Sequence, residues 1–137
     1  RVRAVVDWYG PTDLLAVDEY LVQNGYRPWL NNPSSYGRRL MGGNLIEHAD
    51  LVKAANPETY ITPDDPPFLI QHGTSDNLVP PQQSLILTKK LTHVIGEENV
   101  VLDIFKGGRH GDLGSYVFFK TPENLDRVLD FLDQHMV

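Results

Sequence analysis

Pro67-Phe68-Leu69-Ile70-Gln71-His72-Gly73-Thr74-Ser75-Asp76-Asn77-Leu78-Val79-Pro80 is the stretch that decides the fold. Phe68 to Ile70 is a continuous apolar run, entered through Pro66-Pro67. Such runs mark strands buried on both faces of a parallel sheet. The second half is rich in turn residues. Gly73 is expected to let the chain bend sharply past the strand, and Val79-Pro80-Pro81 to stiffen the exit. Pro80-Pro81 open a helix to about Ile95, with Leu87, Leu91 and Val94 on one face. Lys89, Lys90 and His93 lie toward its end, where positive charge suits the dipole, and Gly96 stops it. A third strand follows, Val100 to Phe105. Its mid-strand Asp103 predicts an edge position with one face partly exposed.

Upstream, Val2 to Val6 is a short β-branched run that ends in Asp7-Trp8-Tyr9-Gly10-Pro11, a buried strand entering a loop. Residues 12–60 are less regular. A short helix is expected near Asp13-Leu14-Leu15, capped by Thr12 or Asp13. Asn24 to Gly43 is rich in Gly, Pro, Asn and Ser, so residues 15–60 read as a cap-like or irregular insertion. Asn44 caps a helix predicted over Leu45 to Ala55, with Leu45, Ala49 and Val52 at helical spacing. Downstream of the third strand comes Gly107-Gly108-Arg109-His110-Gly111. Thr121 then caps a last helix with Pro122 at N1, and Leu125, Val128, Leu129, Leu132 and Met136 form its apolar stripe. Strands alternating with helices predict an α/β fold with three parallel strands.

The chain has 137 residues and a net charge of −6. A mildly acidic chain without a basic stripe argues against nucleic acid as a partner. The pairs Arg38-Arg39 and Lys89-Lys90 read as solvated faces. The lack of cysteine excludes disulfides, thiolate metal sites and cysteine nucleophiles. The histidines show no metal-ligand spacing, so neither metal nor cofactor is expected. No apolar run approaches the ~20 residues that span a bilayer, so no membrane partner is expected. The chain opens Arg1-Val2-Arg3, without methionine or a signal-like segment and almost inside a strand, which suggests a processed chain or a fragment.

In parallel α/β sheets, sites form beyond the carboxyl ends of the strands. The loop after Ile70 carries His72 and Asp76. The loop after Phe105 carries Arg109, His110 and Asp112. If the two strands are neighbours, Asp76 can accept a hydrogen bond from His110, which fixes its tautomer and stabilises the imidazolium. Glycines 107, 108 and 111 give His110 a permissive backbone. His72, where the strand ends, reads as structural and bonded to backbone. His48, His93 and His135 fall on predicted helices as exposed residues, and Asp64-Asp65 reads as a solvated loop.

The acid loop Pro67 to Pro80 resembles that of α/β-hydrolases, in the esterase and lipase-like branch that includes acetyl, carbohydrate and feruloyl esterases. Gly108-Arg109-His110-Gly111 resembles the loop bearing the triad base. Val5 to Leu14 resembles the strand and loop that follow the nucleophile helix, and Ala55-Asn56-Pro57 is similar to a turn before the acid strand. The resemblance implies Asp76 as triad acid and His110 as base of a serine hydrolase acting on small or carbohydrate-linked esters. Trp8 and Tyr9 would border the substrate. The Gly-x-Ser-x-Gly elbow that carries the nucleophile in this fold is absent from the sequence, and Ser34, Ser35, Ser75, Ser84 and Ser115 all lack that setting. Residues 1–137 are therefore expected to be the C-terminal segment of one hydrolase domain, inactive alone. The expected partner is the N-terminal half of that domain, or a second copy covering an exposed sheet edge. Two other readings stay open: a non-catalytic binding module on the same fold, and a peptidase like the prolyl oligopeptidases.

Overall fold

The computed structural model describes residues 1–112 and 117–136. Ser115 lies outside them. Three strands, β1 (Val5–Trp8), β2 (Phe68–Gly73) and β3 (Val100–Phe105), form one parallel sheet in the order β1-β2-β3. Five helices accompany them: α1 (Val17–Gln23), α2 (Tyr36–Met41), α3 (Ala49–Ala55), α4 (Gln82–Ile95) and α5 (Pro122–His135). The register sets Trp8 beside Gln71, and Gly73 beside Phe105. The strands thus deliver their following loops to one end of the sheet. No helix among the described residues is long and apolar enough to cross a membrane.

β2 is central, and Leu69 to Gly73 are buried along it. Ile70 packs with Leu87 and Leu91 of α4, joined by Ile61, Phe68, Ile95, Val100 and Leu102. Burying a Leu or Ile side chain stabilises by about 1.5–3 kcal/mol, so this cluster holds α4 against the sheet. β3 lies at the edge, as Asp103 predicts. Its carboxylate accepts a two-pronged pair of bonds from Arg127, from Nε at 2.5 Å and Nη2 at 2.6 Å.

Across the sheet end runs a buried amide network. Gln71 Oε1 accepts from Trp8 Nε1 (2.7 Å) and from Asn124 Nδ2 (2.9 Å). Gln71 Nε2 donates to Asn124 Oδ1 (2.7 Å) and to Asp103 Oδ2 (2.9 Å). Every hydrogen-bonding direction of this fully buried amide is filled, as burial of polar groups requires.

Four expectations need correction. The first strand begins at Val5 and not at Val2, which is 63% exposed. Val5 pairs with Phe68, and Pro66 and Pro67 before it have no N–H with which to extend the ladder. No helix starts at Thr12 or Asp13: Gln83 holds both in a loop, its Oε1 accepting their N–H groups at 2.7 Å and its Nε2 donating to Asp13 O at 3.0 Å, and α1 begins at Val17. The helix after Asn44 begins at Ala49. Asn44 instead heads a turn, accepting from Ile46 N at 2.9 Å. Finally, the α5 stripe is only partly covered: Val128 and Leu132 are half-buried, while Leu125, Leu129 and Met136 are 41%, 56% and 59% exposed. Asn124, held by Gln71, and Phe131 are the residues this helix buries.

The cap-like stretch has its own core. Val17, Leu21, Leu30, Met41, Leu45 and Val52 are buried together, with Leu14, Tyr26 and Trp29 against them. Its loops are held by side chains. Asp18 accepts from the N–H groups of Trp29, Leu30 and Asn31, each at 2.8 Å. Trp29 Nε1 donates to the carbonyl of Leu78 (2.9 Å), which ties this unit to the loop after β2.

Candidate active site

The loop after β2 and the loop after β3 are joined backbone to backbone. Thr74 N–H donates to Phe105 O (3.0 Å), Ser75 N–H to Gly108 O (2.8 Å), and Gly107 N–H to Thr74 Oγ1 (2.8 Å). Gly73 is needed here for approach and not for a turn. A Cβ at position 73 would lie 2.2 Å from Gly108 O and 2.3 Å from its carbonyl carbon. Gly107 and Gly111 do use the freedom expected of them, with φ of 80° and 61°. Asp112 fastens the far side of the base loop, accepting from the N–H groups of Phe118, Phe119 and Lys120.

This junction brings Asp76 and His110 together across 34 residues of sequence, with His110 Nδ1 2.9 Å from Asp76 Oδ2. A carboxylate only accepts, so Nδ1 carries the proton and Nε2 is left as the acceptor. Nε2 has no hydrogen-bond partner among the described residues, and the ring is 27% exposed while the carboxylate is fully buried. The other oxygen of Asp76, Oδ1, accepts from Leu78 N–H (2.9 Å) and Val79 N–H (2.8 Å).

Burial by itself pushes the Asp76 carboxyl up. The favourable pull of His110, then His72, then the Val79 and Leu78 N–H groups outweighs it and holds the group at about 2, below its ordinary 3.8. The folded value is the lower one, so the carboxylate's contribution is complete above about 3.8 and vanishes as pH falls through about 2. Its size is on the order of 2 kcal/mol. Denaturant titrations at a series of pH values should show this loss between pH 4 and 2, and Asp76→Asn should remove that part of the dependence. An unchanged acid profile in the variant would show that Asp76 does not carry it.

The two aromatic residues expected near substrate diverge, as neighbours at a strand end must. Tyr9 turns to the site. Its ring centroid lies 4.5 Å from that of His110, tilted by 59°, and its edge meets Phe119 at 4.8 Å. It is the one non-glycine residue among those described with positive φ, at 49°. Trp8 turns to the buried amide network and packs on Phe119 at 5.7 Å. Burial, together with the charges of Asp112 and Asp76, raises the Tyr9 phenol above its ordinary value.

His72 does bond to backbone, through Nε2 and Val79 O at 2.8 Å, and Nε2 also lies 3.2 Å from Asp76 Oδ2. Its other nitrogen meets Ser84 Oγ at 2.6 Å. Ser84, weighed in the sequence only as a nucleophile, is fully buried on α4. Gln71, Gln83 and Asn124 gave no signal in the sequence, because isolated amides follow no period. Among the described residues no group of three or more His, Asp or Glu side chains could hold a metal ion.

The chain is 30% identical over 83 residues to "Esterase LipQ" of Mycobacterium tuberculosis (strain ATCC 25618 / H37Rv), covering 61% of this chain and 18% of that protein. A truncated carbohydrate esterase from gut microbiota superposes with a TM-score of 0.79 at 29% identity, over 98% of this chain and 43% of the other. A bifunctional GH43-CE protein of Bacteroides eggerthii superposes with a TM-score of 0.71 at 28% identity, over 98% of this chain and 17% of the other. The chain thus spans less than half the length of each of these relatives. The profile of the BD-FAE family matches residues 1–91, a span that includes Asp76 and stops short of His110. With that match over more than half its length and its parallel sheet and loops in the α/β-hydrolase arrangement, the chain belongs to the BD-FAE family.

Proposed function

We propose that this chain supplies the acid and the base of a serine hydrolase that cleaves small or carbohydrate-linked carboxylic esters. The observation that carries the reading is the His110 ring, held through Nδ1–H on a buried, ionised Asp76 with Nε2 unengaged among the described residues. That is the state a general base needs before it takes a hydroxyl proton. A serine from outside these residues attacks the ester carbonyl carbon, and its proton passes to His110 Nε2. The imidazolium, stabilised by Asp76, returns the proton to the leaving alcohol as the acyl–oxygen bond breaks. Water then repeats the sequence to release the acid. The carbohydrate esterase among the similar structures supports the sugar-linked class of substrate.

The rest of the hydrolase domain is the partner this reading requires. β1 has no strand on its outer edge among the described residues, and Leu125, Leu129 and Met136 of α5 are exposed. An open edge and an apolar face both favour association. Alone, the chain is expected to turn over no ester.

The test is a fluorophosphonate probe on the complete polypeptide that carries this chain, beside an Asp76→Asn/His110→Ala variant. Labelling of one serine outside residues 1–137, lost in the variant, is the expected result. Equal labelling of both proteins would overturn the roles of Asp76 and His110. Labelling of neither would favour a binding module.

A further inference from the structure

His72 is fully buried, and no step of the chemistry above uses it. Its surroundings assign its tautomer. Val79 O can only accept, so the nitrogen 2.8 Å away, Nε2, carries a proton. That same N–H faces Asp76 Oδ2 at 3.2 Å. Behind the ring, Nδ1 meets the buried Ser84 hydroxyl at 2.6 Å, which fixes the ring plane from α4.

An ionised carboxylate offers about four lone-pair directions. On Asp76, two are taken at Oδ1 by Leu78 and Val79 N–H. At Oδ2, His110 Nδ1–H donates at 2.9 Å, and the His72 N–H, which donates to Val79 O, approaches to 3.2 Å. Among the described residues His110 is the only side chain that hydrogen-bonds to the carboxylate.

We propose that His72 is a positioning residue for the acid: backed by Ser84, it holds Val79, whose N–H bonds Asp76 Oδ1, and sets its own N–H 3.2 Å from Oδ2, and so fixes the direction from which His110 Nδ1–H is received. A hydrogen-bond line then runs from α4 through Ser84, His72, Val79 and Asp76 to His110. It rests on the reading of Asp76 and His110 as acid and base. Without His72, Oδ2 loses the positive end of that neighbouring N–H dipole, bonds His110 more strongly and holds it less directionally. The His110 ring loses the alignment that its Nε2 needs toward serine.

The experiment is steady-state kinetics on the complete polypeptide, with the proton resonance of His110 Nδ1–H followed by NMR. His72→Leu should lower kcat roughly ten- to a hundredfold, the range typical of residues that orient a site from behind. KM should stay within about twofold, because no substrate contact is removed. The Nδ1–H resonance should move downfield. His72→Gln, whose Nε2 reaches where the imidazole Nε2 sits, should restore both. Ser84→Ala, which leaves the core of β2 whole, should move both in the direction of His72→Leu and decides the matter if that variant does not fold. A resonance unmoved in His72→Leu and Ser84→Ala, or a Gln variant as impaired as the Leu variant, overturns the proposal. If Asp76→Asn is impaired while His72→Leu is not, only the role of His72 is lost. If Asp76→Asn is itself unimpaired, the acid assignment beneath it fails.

Discussion

Asp76→Asn is expected to leave the sheet folded and to lower kcat by about four orders of magnitude. The carboxylate accepts three hydrogen bonds and makes no donation. A carboxamide has one acceptor oxygen and one donor nitrogen, so no orientation of it suits all three. With its oxygen toward Leu78 and Val79, its NH2 faces His110 Nδ1. That ring then shifts its proton to Nε2 and can no longer accept one from serine. Turned the other way, its NH2 meets two backbone N–H groups. Parallel pairing of β2 with both neighbours does not involve this side chain, so the variant should remain folded at 25 °C with a lowered melting temperature. Hydrolysis of a p-nitrophenyl ester, with circular dichroism on the same samples, separates the two effects. Near-native turnover in a folded variant would remove Asp76 from the chemistry.

Gly73→Ala is the substitution with the largest expected effect on stability. Its new methyl would sit 2.2 Å from the Gly108 carbonyl oxygen. The obstacle is backbone, so no side-chain rotation relieves it. The end of β2 and the base loop must part, breaking the Ser75 to Gly108 bond. A cost above about 3 kcal/mol is expected, at the upper end for overpacking, together with loss of activity as Asp76 and His110 separate. Gly107→Ala is the control. Position 107 has φ of 80° but open space around it, so only the left-handed penalty of about 1–2 kcal/mol applies. Urea denaturation of both variants measures the difference. Equal midpoints would mean that the crowding at Gly73 does not matter.

The parts of the fold with strong local signals could be read in advance. β2, α4 and β3 stand where the apolar runs, Pro80-Pro81 and Gly96 put them. Thr121 caps α5 as expected, accepting from Asn124 N–H. The pairing of Asp76 with His110 followed from loops at the ends of adjacent strands. What the sequence hid was decided by partners far along the chain. The loop ahead of α1 is held by Gln83, some seventy positions later. The face that α5 turns to the sheet carries Asn124, bonded to Gln71, which the apolar stripe did not point to. Asn44 looked like a helix cap because the turn it heads uses the same side-chain bond. The second imidazole on Asp76 was hidden because a bond to backbone accounted for His72 on its own.

Because β2, α4 and β3 are one continuous supersecondary unit, the loops that carry Asp76 and His110 share their fate in any local opening of the native state. Opening energies are organised in such contiguous units. The bonds that join the two loops lie between residues 74 and 108, at the carboxyl end of that unit. A fluctuation that frees one loop therefore frees the other, and amide exchange at Ser75 and Gly107 should share one opening free energy. The two residues are lost and regained together, in a single cooperative event.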